Sequence, residues 1–119
     1  MPTDHVSPIP SAEFRVLLAL LDGPKHGHGI KLDIRQRTDG RVDMGPGTLY
    51  GAIKRLAGRA WIVEVEAPPP SSQRDERKRY YALTQSGRGA AAEEVGRMEE
   101  LLGIARTKDL QPAGPVGSA

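Results

Sequence analysis

The stretch Gly45-Pro-Gly-Thr-Leu-Tyr-Gly-Ala-Ile-Lys-Arg-Leu56 places the tightest limit on what this chain can fold into. Wound at about 3.6 residues per turn, it puts Leu49, Ala52, Ile53 and Leu56 on one face. Gly47, Gly51, Lys54 and Gly58 take the opposite face, with Thr48 and Arg55 along one flank and Tyr50 along the other. A glycine inside a helix costs roughly 1 kcal/mol relative to alanine. An outer face that accepts Gly51 beside Lys54 and Arg55 suits close approach by another body. The groove of a duplex is such a body, since it admits a helix and rewards positive charge. An ordinary surface helix of a small bundle fits the same residues.

Composition narrows the classes. The 119 residues suit one compact domain and contain no cysteine, so disulfide staples and thiolate metal sites are excluded. No run of about 20 apolar residues is present to span a membrane. The first residues, Met1-Pro-Thr-Asp-His-Val6, lack the charged and apolar regions of a signal peptide, so a bacterial-type cytoplasm is expected. The formal charge is only +2, but its distribution is uneven. Arg41 to Arg79 carries eight Lys/Arg against five Asp/Glu, whereas Gln85 to Leu110 carries four against five.

Residues 1–10 read as a loose arm. Ser11 is expected to cap a first helix in which Phe14, Leu17, Leu18 and Leu21 form a core stripe, widened by Leu20 and stopped at Asp22-Gly-Pro24. A second helix carries Ile30 and Ile34 on one face, with His26 as its cap, and ends at Thr38-Asp-Gly40. Arg41–Met44 suits a short extended piece, and Pro46 then occupies the first turn of the third helix, where its missing N–H costs nothing. Trp61–Glu66 is the clearest strand, with Trp61, Val63 and Val65 alternating against Ile62, Glu64 and Glu66. Lys78–Leu83 is its expected partner. Between them, Pro68-Pro-Pro70 favours an extended, stiff connection, giving a hairpin with a long projecting tip. Thr84 is expected to cap a last helix in which Ala91, Val95, Met98, Leu102 and Ala105 follow a 4-3-4-3 spacing, an a/d seam. Burial by the same helix of a second copy is one outcome, and packing back onto the first helix is the other. Residues 109–119 have nothing to bury and read as a disordered tail.

Three helices, a long-tipped hairpin and a further helix define a mostly α (α+β) chain, a winged helix-turn-helix. Residues 11–83 make the DNA-binding unit and residues 84–108 the dimerisation helix. The third helix is expected to enter the major groove, and Arg74, Arg77, Lys78 and Arg79 lie at the tip and base of the wing.

Several motifs now coincide: Leu17-Leu-Ala-Leu-Leu-Asp-Gly-Pro24, His26-Gly27, Gly47-Thr-Leu-Tyr50 with Leu56 beyond it, and Arg79-Tyr-Tyr-Ala-Leu-Thr84 followed by Gly87. With them the sequence resembles the PadR family of bacterial transcriptional regulators over about Phe14 to Ile104, in its compact subgroup with a single C-terminal helix. The resemblance implies a dimeric winged helix that binds double-stranded DNA, and an inverted-repeat operator is the geometric expectation for a two-fold dimer. It implies repression as the commoner mode, and in some members release by a small hydrophobic or aromatic effector. It places Thr48 and Tyr50 on the DNA backbone and Lys54 and Arg55 at or near the groove. Gly47, Gly51 and Arg59 belong to the same expected surface, which continues onto the wing basic group. Phe14, Leu17, Ala91, Val95, Met98 and Leu102 are the expected dimer seam and effector pocket. The chain departs from the family pattern in having His28 where tyrosine is common, Gly51 where proline is common, and Ala57-Gly-Arg-Ala60 in place of an acidic link.

No catalytic constellation is present, so the chain is not expected to be an enzyme, and no cofactor is implied. His26 and His28, two apart, supply too few ligands for a metal. The alternative function is a winged helix used for protein–protein contact without DNA binding, which would show little affinity for DNA and little dependence on salt.

Overall fold

The computed structural model describes residues 8–113. The expected arm falls largely on residues 1–7, outside the described residues, as does the part of the expected tail at 114–119. The elements run α1 (Ser11–Ala19), β1 (Lys25–His26), α2 (Gly27–Arg37), α3 (Pro46–Gly58), β2 (Ile62–Val65), α4 (Gln73–Glu76), β3 (Tyr80–Leu83) and α5 (Gln85–Thr107). The three long helices before the hairpin pack around Val16, Leu17, Ile30, Ala52 and Leu56, all fully enclosed.

α1 opens one residue earlier than its expected cap. Ser11 is already helical, and the cap position is Pro10, whose carbonyl accepts the Phe14 N–H at 2.9 Å without a side-chain cap. The core stripe of α1 is Phe14, Val16, Leu17, Ala19 and Leu20, while Leu18 and Leu21 are exposed. The helix ends at Ala19, so the tight turns that follow rotate Leu21 away from the face that α2 and α3 cover. Lys25 closes this end by donating to the Ala19 carbonyl at 2.6 Å and pairing with Asp22, whose carboxyl it holds below the usual range.

The turn into α3 is fixed by Thr38. Its hydroxyl donates to the Ile34 carbonyl at 2.9 Å and accepts the Val42 N–H at 3.0 Å. Residues 41–45 form no strand, but Met44 is buried and anchors the approach to α3.

The wing has three strands rather than two. β3 is central, with the antiparallel order β1-β3-β2 and registers Lys25↔Tyr81, His26↔Tyr80, Ile62↔Leu83 and Val65↔Tyr80. In β2 the buried residue is Ile62, whereas Val63 is 49% exposed. The alternation is therefore offset from the apolar set Trp61, Val63 and Val65. Only the root of β2 packs on α3, and the rest of the strand projects into solvent. The Pro-rich connection also contains α4, held by a capping box in which the Ser72 hydroxyl accepts the Asp75 N–H and the Asp75 carboxylate accepts the Ser72 N–H.

α5 starts where expected. The Thr84 hydroxyl accepts the Gly87 N–H at 3.0 Å and donates to the Ala60 carbonyl at 2.7 Å, tying the helix to the root of β2. A β-carbon at Gly87 would overlap the Trp61 carbonyl, so only glycine permits this approach. The first turns of α5 lean on α1 and bury Ala90, Ala91 and Glu94. Glu94 accepts from Arg97 at 2.5 and 3.1 Å and from the Ile9 N–H at 3.3 Å. Ile9 is itself buried, so the expected loose arm does not extend to residue 9. Beyond Glu94 the helix exposes Val95, Met98, Leu101 and Ile104.

Candidate nucleic-acid interface

The apolar face of α3 decides what the opposite face can do. Leu49, Ala52, Ile53 and Leu56 are buried against α1, α2 and β2, so Gly47, Thr48, Tyr50 and Lys54 project outward, with Gly51 half-buried beside them. Tyr50 is 51% exposed and its phenol lies over the backbone of Gly27, where a β-carbon would collide with the ring. The start of α2 and the first turn of α3 thus meet through one exposed aromatic.

The basic residues divide into two sets. Lys54, Arg74 and Arg77 are exposed and form no ion pair among the described residues. Lys78 is also exposed and stands 3.8 Å from Asp75, itself held below the usual carboxyl range chiefly by its hydrogen bonds with Ser72. Arg79 hydrogen-bonds Tyr81, whose phenol is pushed up mainly by burial.

Arg55 and Arg59 behave differently. Arg55 Nε donates to Glu13 Oε2 at 2.7 Å, and Arg59 Nη1 stands 3.9 Å from Glu13 Oε1. The Arg59 guanidinium lies 4.9 Å from the centre of the Trp61 ring, a cation–π contact. Both arginines therefore brace α3 against α1 and the root of β2. The sequence groups them with the groove residues because their shared partner, Glu13, is distant in the chain (42 residues from Arg55) and is buried at a position that reads only as an acid near a helix start.

The structure also separates the six residues expected at a dimer seam. Leu17 and Ala91 are enclosed in the chain's own core and Phe14 is nearly so, because α1 and the start of α5 pack on each other. Val95 and Met98 are exposed and Leu102 is half-buried. Leu101 and Ile104, which fall outside the a/d spacing, add exposed apolar surface. Among the described residues no group of three or more His, Asp or Glu could hold a metal, and no helix is long and apolar enough to cross a membrane.

A trihelical body whose third helix presents an open outer face beside a strand-built wing is a winged helix-turn-helix. Residues 16–93 match the PadR-like family of transcriptional regulators, and the chain belongs to that family. That family is one of transcriptional regulators, and the fold is of the winged-helix class. Among solved structures it resembles a PadR family transcription regulator from Clostridium difficile at a TM-score of 0.70 and 20% identity, covering 82% of this chain and 97% of that one. A transcriptional regulator from Clostridium thermocellum gives a TM-score of 0.66 at 23% identity, covering 80% and 89%. A curated relative, an uncharacterized 37.1 kDa protein in transposon TN4556 of Streptomyces fradiae, is 37% identical over 92 residues. That alignment takes in 77% of this chain but only 24% of the relative's length.

Proposed function

We propose that this chain is a dimeric, sequence-specific regulator that reads an inverted-repeat operator, represses from it, and is released by a small hydrophobic or aromatic effector. The observation that carries the DNA-contact assignment is the set of exposed cations without acidic partners, Lys54 on the outer face of α3 and Arg74 and Arg77 on the wing. Gly47, Thr48, Tyr50 and Gly51 bring the backbone of α3 close to the duplex, and Arg77, Lys78 and Arg79 hold phosphates from the wing. Arg55 and Arg59 act behind this surface through Glu13. The second copy is held through Val95, Met98 and the apolar surface beyond them, and the effector space lies between that seam and Phe14.

The test is an anisotropy titration against duplex DNA from just upstream of the protein's own gene, at two salt concentrations. Saturable binding that exceeds binding to random duplex and weakens as salt rises is expected, because each neutralised phosphate releases counterions. Lys54→Ala weakens the complex, and the pair Arg77→Ala/Arg79→Ala flattens the log–log salt slope by roughly 1–2 per subunit. Unchanged binding in both variants removes the assigned DNA face. Weak, salt-independent binding at low salt instead leaves a protein-contact module. For the effector, aromatic compounds that raise the thermal midpoint should weaken DNA binding in the same titration.

A further inference from the structure

Between the start of α2, the first turn of α3 and the root of the wing lies a cleft of about 370 Å³, lined by His26, His28, Tyr50, Lys78 and Arg79. Four groups in it can carry positive charge, while Asp75 stands beside Lys78 and Glu64 lies opposite the cleft-lining Tyr81 in the sheet. The two imidazole planes are parallel to within 1°, with centres 6.4 Å apart, and His26 meets Tyr80 edge-on at 5.2 Å. We propose that this cleft seats one phosphodiester of the DNA backbone, gripped by Lys78, Arg79 and the Tyr50 hydroxyl, and that His28 joins the grip only when protonated.

The proposal rests on the DNA-binding reading above and names the ligand of one part of that surface. Tyr50 stands on the groove helix while Lys78 and Arg79 stand on the wing, so a strand running from one to the other passes over this cleft. Cations brought together repel one another in the free protein; Asp75 offsets part of this at Lys78, and a phosphate adds to that relief.

The two histidines take different parts. His26 Nδ1 accepts the Gly29 N–H at 3.0 Å, so His26 is the cap of α2 and its proton sits on Nε2. Burial, then Lys78 and His28, hold His26 below the ordinary histidine range and keep it neutral at pH 7. A depressed histidine adds stability above its unfolded pKa, near 6.5, that fades as pH falls. His28 is exposed, with both ring nitrogens outside the capping bond. The charged or titratable groups around it are His26 from β1, Tyr50 from α3, Lys78, Arg79 and Tyr81 from the wing, Glu64 of β2 opposite Tyr81, and Asp75 from α4. On its own helix, Lys31 is occupied by Asp43 at 3.5 Å. A phosphate entering the cleft is the group that favours the imidazolium.

The experiment is an anisotropy titration of the full chain with a labelled duplex at fixed ionic strength, from about pH 6 to pH 8. A phosphate that raises proton affinity about tenfold at one histidine increases DNA affinity about fivefold per subunit between pH 8 and pH 6. In His28→Gln this dependence should fall below about twofold. Full pH dependence in His28→Gln, or none in the unaltered chain, overturns the proposal. Failure to bind the duplex at any pH overturns the DNA reading instead. Inorganic phosphate alone, followed through the His28 ring resonances, separates the two sources of this chemistry. Saturation of the site at about millimolar phosphate assigns it to a free anion and overturns the DNA assignment.

Discussion

Arg55→Ala is expected to lower the unfolding free energy by about 2–3 kcal/mol at neutral pH, a loss from the fold before any loss at the DNA. The reason lies in its partner. The Glu13 side chain is 3% exposed, whereas that of Arg55 is 56% exposed, so the desolvated charge is the carboxylate. Glu13 Oε2 takes the Arg55 Nε bond, and Oε1 takes no hydrogen bond among the described residues. Removing Arg55 leaves Glu13 to the longer contact with Arg59, at 3.9 Å. A buried charge stripped of its partner is costly, but replacing both partners is not. Glu13→Gln/Arg55→Ala should therefore recover most of the loss, and a double-mutant cycle by urea denaturation should give a coupling of about 1–3 kcal/mol. If Arg55→Ala leaves stability intact while DNA affinity collapses, Arg55 is a groove contact and the brace between α1 and α3 is wrong. The brace also bears on recognition, because it fixes how far α3 stands out from the body.

What the sequence made legible follows the strength of each local signal. The outer face of α3 could be read because Leu49, Ala52, Ile53 and Leu56 leave only one arrangement at a helical period. The start of α5 could be read because Thr84 is a strong cap, and His26 as the cap of α2 for a similar reason. β1 could not, since two residues carry no periodicity and exist as a strand only through their pairing with β3. α4 was hidden by Pro68-Pro-Pro70, although its Ser72/Asp75 capping pair was there to be found. The offset of β2 follows from where the sheet leaves the body, which alternation alone does not encode. The same limit applies to charge. Lys54 and Arg55 are neighbours in sequence, and nothing local says that one is unpaired while the other reaches back to α1. The His28 cleft is legible only once β1, α3 and β3 have been brought together.

Met98→Glu is expected to turn the protein from a dimer into a monomer and to lower affinity for an inverted-repeat site by about 100-fold or more. α5 continues to Thr107, yet its buried residues end at Glu94. Beyond that point Val95, Met98, Leu101 and Ile104 are each exposed by 41–50% and recur every third position. A helical segment this short is marginal in water without a partner, and Gly96 and Gly103 weaken it further. Exposed apolar surface on such a helix, with Val95 and Met98 on the a/d seam and Leu101 and Ile104 flanking it, favours a second copy, since two-fold pairing covers the same residues on both chains. A carboxylate at residue 98 places one unpaired charge per chain in that seam, and the two charges oppose each other across the axis. The helix–wing unit carries its own core around Leu17, Ile30 and Leu56 and is expected to keep its cooperative thermal transition. Sedimentation then separates loss of the seam from loss of the fold. Each half-site would be bound independently in the monomer, and the affinity gained from linking the two contacts would vanish. A Met98→Glu protein that still sediments as a dimer would move the interface off the C-terminal half of α5. An unaltered chain that sediments as a monomer at micromolar concentration, and binds a single half-site as tightly as the pair, would remove the dimer from the proposed mechanism.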